Sequence, residues 1–170
     1  MNVAAPRPCV IDVEASGFGR GSYPIEIGYV LDDGRAVCML VQPSPHWTHW
    51  DAGAESIHGI QRSLLFVRGR PVTEVAATLN RDLAGRTVYC DGWANDYTWI
   101  AALYEEARMT PTFKLESAAR LLDEARRPLL HERQRRARAE LGLDRHRASS
   151  DARALQCALA ALIGTVQAGP

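Results

Sequence analysis

Near its start the chain carries Pro8-Cys9-Val10-Ile11-Asp12-Val13-Glu14, an apolar run that ends on two carboxylates one residue apart. Successive β-branched residues read as a strand, and a run this apolar suits the middle of a sheet. Side chains alternate faces along a strand, so Asp12 and Glu14 project to one side and Val13 to the other. Two carboxylates on one face of a buried strand repel each other and resist leaving water unless a cation neutralises them. A hard divalent ion such as Mg²⁺ or Mn²⁺, which prefers oxygen ligands, would do so. The plainer alternative is a strand that ends at Ile11, with both acids pointing into water.

The pattern that follows sets the fold class. Residues 15–22, rich in Gly and Ser, read as a turn, and residues 23–31 as a second strand. Asp32-Asp33-Gly34 is a hairpin signal, after which residues 35–41 return as a third strand. Residues 42–59 form a long irregular connection with prolines, three histidines and two tryptophans. Loops of that length are often functional, although Trp47 and Trp50 are expected to pack this one down. Residues 72–83 have helical spacing and stop before Gly85, and residues 87–90 are a short strand. Residues 95–108 are helical with Asn95 placed as a cap, 112–115 are extended, and 117–122 are helical. Residues 128–141 form a basic helix with Pro128 at a tolerated first-turn position. The clearest helix is 149–163, capped by Ser149 or Ser150, with Ala152, Leu155, Leu159 and Leu162 as its buried stripe.

A three-stranded meander, then helices alternating with short strands, predicts an α/β fold with a mixed sheet. The chain has 170 residues, 46% hydrophobic and 24% charged, which is enough for a real core and excludes a disordered or collagen-like chain. A single domain over 1–170, with its core at about 8–164, is expected. No apolar run reaches the ~20 residues of a membrane span, and no secretory signal pattern opens the chain, so the expected location is the cytoplasm. Lys and Arg together number 20, as do Asp and Glu, but residues 126–147 hold eight arginines against Glu132, Glu140 and Asp144. That stretch is either a basic flank for a phosphate backbone or a solvated helix face. Cys9, Cys38, Cys90 and Cys157 are scattered without a C-x-x-C pattern, so they read as small buried residues rather than disulfide or zinc ligands.

Two further clusters carry chemistry. In His146-Arg147-Ala148-Ser149-Ser150-Asp151 an imidazole and a carboxylate sit at the same end of the last helix. Taken alone, Asp151 also reads as a helix-dipole acid and His146 as a solvated loop residue. In Asp91-Gly92-Trp93-Ala94-Asn95-Asp96 a short strand turns into a helix, which is where sites form in α/β sheets. Asp96 is the candidate carboxylate there and Asp91 its rival.

In order and spacing these pieces resemble the DEDD superfamily of 3′-to-5′ exonucleases, in the histidine-containing (DEDDh, DnaQ-like and RNase T-like) branch. Ile11-Asp12-Val13-Glu14-Ala15-Ser16-Gly17 is similar to the family's I-D-x-E-T-T-G, and Pro24-Ile25-Glu26-Ile27-Gly28 looks like its second strand. Ile57-His58-Gly59-Ile60 looks like its H-G-I segment, and His146-Arg147-Ala148 with Asp151 matches its third motif. The chain departs at the second motif, usually H-N-A-x-F-D, where only Asp96 and the later Trp99 stay in register.

The resemblance implies a ribonuclease H-like fold, with a central mixed five-stranded sheet whose first three strands form an antiparallel meander, flanked by helices. It also implies a 3′-to-5′ exonuclease that cuts phosphodiester bonds of single-stranded RNA or DNA, or short oligonucleotides, with two Mg²⁺ or Mn²⁺ ions per site. Asp12 would bridge both ions, Glu14 and Asp151 would complete one shell, Asp96 would hold the other ion, and His146 would act as general base. Ala15, Ser16, Gly17, Phe18 and His58 would grip the terminal nucleotide, Ser16 and Gly17 through backbone N–H groups. RNA is slightly favoured, as for the small stand-alone members, and a homodimer is left open on the same ground. The alternatives are a catalytically weak nucleic-acid-binding or proofreading-type module on this fold, and an α/β enzyme of unrelated chemistry.

Overall fold

The apolar run does become the middle of a sheet. The computed structural model describes residues 7–164. Strands β1 (Cys9–Ala15), β2 (Pro24–Val30) and β3 (Ala36–Leu40) form the predicted antiparallel meander. Helices α1 (Ala52–His58), α2 (Arg62–Arg68) and α3 (Val72–Leu83) follow, then β4 (Thr87–Cys90), α4 (Trp93–Ala107) and β5 (Lys114–Ser117). Two short 3₁₀ turns, Ala118–Leu121 and Arg127–Leu129, lead into α5 (Leu130–Leu141) and α6 (Ala148–Gly164). The strand order is β3-β2-β1-β4-β5, with β4 parallel to β1 and β5 parallel to β4. The result is a mixed five-stranded sheet with helices on both faces. Among the described residues no helix is long and apolar enough to cross a membrane.

The alternation along β1 divides the core. Ile11, Val13 and Ala15 join the larger cluster, with Val75, Leu79, Ile100 and Leu103 of α3 and α4. Val10 joins the smaller one, with Leu130 of α5 and Ala152, Leu155 and Leu159 of α6. Asp12 and Glu14 share the face of Val10, and the register sets Asp12 opposite Gly28 and Glu14 opposite Glu26. Gly28 is what lets α6 land there. A Cβ built on it would lie 2.2 Å from the Ser149 nitrogen and 2.3 Å from the Ala148 carbonyl carbon, so only glycine admits the backbone of the helix. The first turn of α6 is thereby pressed onto the strand beside Asp12.

Several local expectations are corrected. Residues 42–59 are not wholly irregular: they contain α1, whose Asp51 carboxylate caps Gly53 N–H at 2.7 Å and whose end turns left-handed at Gly59. Neither α1 nor α2 spans more than seven residues, too short for a periodic stripe to announce it. Asn95 is not a cap, because α4 already starts at Trp93 after Gly92. Nor does Ser149 or Ser150 cap the last helix. It starts at Ala148, whose N–H is taken by the Glu26 carboxylate at 2.8 Å, a long-range partner that replaces a local cap. The extended segment expected at 112–115 lies at Lys114–Ser117, and the helix expected at 117–122 is one 3₁₀ turn. Cys9 and Cys90 are buried, but Cys38 is exposed on β3 and Cys157 is half-buried. Trp47 packs its loop as expected, stacked on Tyr23 with ring centroids 5.1 Å apart.

Candidate active site

Three element ends meet over β1. The end of β1 brings Asp12 and Glu14, the first turn of α4 brings Asp96, and the loop into α6 with its first turn brings His146 and Asp151. All five line one cavity of about 300 Å³, together with Ala15, Gly17, Phe18, His58 and Trp99. Carboxylates that are distant in sequence are therefore neighbours in space. Single ligand atoms of Glu14, His146 and Asp151 lie within 4.8 Å of one another.

The electrostatics of this cavity are those of an under-neutralised acid cluster. Asp12 is pushed well above the usual carboxylate range, first by desolvation and then by the charges of Asp96, Glu14 and Asp151, with Arg138 opposing. Glu14 is pushed up to about 7 by burial, Asp151 and Glu26, with Arg147 opposing. Asp96 is also pushed up to about 7, mainly by burial, and its Oδ2 is buried with no hydrogen-bond partner. A buried carboxylate oxygen without a donor costs free energy. An oxygen-rich donor set carrying such an orphan fits a hard divalent cation.

The Asp151 side is better held. Arg138 of α5 donates to Asp151 Oδ1 at 2.7 Å, and His146 N–H donates to Oδ2 at 2.9 Å. His146 adopts a left-handed backbone (φ 57°), rare for a non-glycine residue. The next residue explains how that conformation is fixed. Arg147 donates to both oxygens of the fully buried Glu26, at 2.7 and 3.2 Å. With Ala148 N–H on the same carboxylate, β2 clamps both ends of the turn that follows His146.

Around the rim, Gly17 has φ 143°, and a Cβ on it would meet Asp51 Cβ at 2.7 Å and His49 Cε1 at 2.8 Å. Phe18 is 68% exposed and tilts against Trp99 at 5.8 Å. His58 is buried, and its Nδ1 accepts from Ile60 N–H at 3.0 Å, so a neutral ring carries its proton on Nε2. That Nε2 has no partner, and burial lowers the pKa of the ring. His58 therefore offers the cavity a neutral, unspent donor.

Two sequence candidates stand elsewhere. Ser16 is fully buried and does not line the cavity: its N–H is spent on Tyr23 O at 2.9 Å, and its hydroxyl pairs with His49 Nδ1 and accepts from Tyr23 N–H. The backbone grip expected of Ser16 is corrected on that ground. Asp91, the rival of Asp96, accepts from Gln134 at 3.0 Å and lies outside the cavity. Sequence reasoning missed Glu26 and Arg138. Glu26 left one trace, a lone charge in the otherwise uncharged strand Pro24-Ile25-Glu26-Ile27-Gly28. Arg138 was hidden among the arginines of its helix.

The chain shares its fold with part of exonuclease I. Among solved structures it is similar to E. coli exonuclease I in complex with a dA16 oligonucleotide, at a TM-score of 0.71 and 16% identity over 94% of this chain and 41% of that one. It is also similar to a moderately thermophilic exonuclease I from Methylocaldum szegediense, at a TM-score of 0.65 and 17% identity over 94% of this chain and 40% of that one. A product-bound exonuclease I aligns at a TM-score of 0.68 and 14% identity. The chain thus spans about two fifths of the length of the exonucleases it matches. No protein-family model matches it, and no curated protein matches it by sequence.

Proposed function

We propose that this chain, as one domain, is a metal-dependent 3′-to-5′ exonuclease acting on single-stranded nucleic acid. The observation that carries the reading is the convergence of Asp12, Glu14, Asp96, His146 and Asp151 on one cavity, with Asp96 Oδ2 buried and unsatisfied. Asp12, Glu14, Asp96 and Asp151 would hold two Mg²⁺ or Mn²⁺ ions, Asp12 being shared because it lies among the other three acids. When bound, the ions would supply Lewis-acid stabilisation of the charge that builds on the phosphate oxygens.

The protein's own groups do the rest. His146, held by the Asp151 contact to its N–H and by the Glu26–Arg147 clamp beside it, takes a proton from the attacking water. A neutral imidazole keeps one ring nitrogen as an acceptor, which is where that proton would go. The His58 Nε2–H donates to an acceptor on the terminal nucleotide, while Ala15 and Gly17 shape the floor beneath it and Phe18 offers a ring for stacking. The 3′ polarity follows the family resemblance. The solved relatives hold DNA strands such as dA16, so DNA stands beside RNA as substrate, RNA being slightly favoured by likeness to the small stand-alone members.

The test uses single strands of RNA and of DNA labelled at either end, incubated with Mg²⁺, with Mn²⁺ and with EDTA. Stepwise shortening from the 3′ end that EDTA abolishes is expected. Intact strands at every cation concentration would overturn the proposal, and internal or 5′-first cutting would overturn its polarity.

A further inference from the structure

Helix α4 borders two hollows, and the acid cavity is the smaller. On its other flank lies a groove of about 650 Å³ walled by Trp93, Tyr97, Ile100, Tyr104 and Phe113. Trp93 and Tyr97 are four residues apart, on one face of the helix. Their ring centroids are 5.4 Å apart with planes tilted by 32°, and the residues are 42% and 53% exposed. Two large rings standing about half in water leave apolar surface open to a partner. Lys114 and Arg120 stand at the rim, and the acid among the groove's lining residues, Glu116, is already bonded by both of them. Planar apolar faces bordered by an excess of cation complement bases strung on phosphates. The groove and the acid cavity are separate hollows that share the first two turns of α4 as a wall. Gly92, Asn95 and Asp96 line the cavity, while Trp93 and Tyr97, on the same two turns of helix, line the groove. Trp93 falls in the very stretch, residues 91–96, where the chain departs from the pattern it otherwise resembles.

We infer that this groove binds the continuing part of a single-stranded nucleic acid: bases upstream of the terminal nucleotide stack on the Trp93–Tyr97 pair, with Lys114 and Arg120 facing the backbone phosphates. The inference rests on the nuclease reading for its direction, since the strand reaches the groove by crossing the first turn of α4 from the acid cavity. It makes the protein selective for length. A dinucleotide fills the cavity alone, whereas a longer strand gains the groove.

The experiment compares the wild-type chain with the double variant Trp93→Ala, Tyr97→Ala. Affinity for a labelled dA strand of about twelve nucleotides is measured by anisotropy in EDTA. Hydrolysis of that strand and of a dA dinucleotide is measured with Mn²⁺. Base–aromatic stacking of ordinary strength is equivalent to about 5- to 150-fold in affinity per base. The variant should therefore bind the long strand at least tenfold more weakly and show a raised KM for it, with the dinucleotide hydrolysed as before. Equal affinity for the long strand would overturn the inference. So would an equal loss on both substrates, which would make the rings supports of the acid site. A dimer that dissociates in the variant with strand affinity unchanged would assign the face to self-association instead. If neither protein cuts any strand, the nuclease reading fails, yet the EDTA binding arm still decides the groove. If the wild-type chain binds no strand at all, both fail.

Discussion

The candidate site has two halves that are held in opposite ways. On the Asp151 side two acids have internal partners: Arg138 and His146 N–H on Asp151, and Arg147 and Ala148 N–H on Glu26. On the Asp12–Asp96 side the acids crowd one another, and Asp96 Oδ2 has no donor. The contrast separates two jobs. Arginines fix in advance where His146 stands, whereas the other half is left short of positive charge, the condition a divalent ion relieves.

The sharpest way to break this contrast is to remove one member from each half. Asp12→Ala should abolish both strand hydrolysis and Mn²⁺ binding by calorimetry. His146→Ala should cost ~10²–10⁴ in kcat, the usual worth of a general base, while keeping most of the Mn²⁺ affinity. Full activity in His146→Ala would end the base role, and lost Mn²⁺ affinity would make His146 a ligand in the trio with Glu14 and Asp151.

Next in size is the clamp. Arg147→Met strips the guanidinium from the buried charge of Glu26 while Ala148 N–H stays on it, and removing one partner of a buried pair costs ~3–5 kcal/mol. Arg147 is itself partly exposed, so urea unfolding should report a loss toward the low end of that range, with kcat falling as His146 loosens. A variant as stable as the parent would show that the clamp is not what sets this half.

Arg138→Met tests the same half from the cation's side. Freed of its guanidinium, Asp151 should be more available, and Mn²⁺ should bind about tenfold more tightly, the order expected for one charge-assisted hydrogen bond released. Weaker binding would mean that Arg138 positions Asp151 for the ion rather than competing for it.

The smallest effect is a trend with pH. Glu14 and Asp96 are raised to about 7 from ordinary values of 4.5 and 3.8, so between those limits the folded state binds more protons than the unfolded one. The stability slope is then negative. The contribution is full below about 4, is lost as pH rises toward 7, and is gone above it. Cation-free protein should unfold at lower urea at pH 8 than at pH 5.5, and saturating Mn²⁺ should flatten or reverse the difference. A cation-free profile that rises across this window would contradict the under-neutralised half.

Much of the frame could be read in advance. The meander, the helix Val72–Leu83 and the strand Thr87–Cys90 rest on local periodicity and turn residues, and these survive in the fold. The acids of β1 could be read because alternation alone puts Asp12 and Glu14 on one face. Helices α1 and α2, at seven residues each, were too short to show a stripe. Glu26 and Arg138 escaped because a charge in a strand or on a basic helix looks ordinary until its partner is known. The partner of Glu26, Arg147, is 121 residues away.

The sequence by itself determined the three-stranded meander and the strand Thr87–Cys90, which strand is apolar enough for the centre, and which acids and imidazole stand at element ends, all consequences of local spacing. Only the tertiary structure decided that Gly28 admits α6 against Asp12, that Arg138 and Arg147 turn inward to Asp151 and Glu26, that Ser16 and Asp91 face away from the cavity, and that Trp93 and Tyr97 wall a second groove. Charge pairing and cavity lining depend on distances between segments remote in sequence, and packing sets those distances.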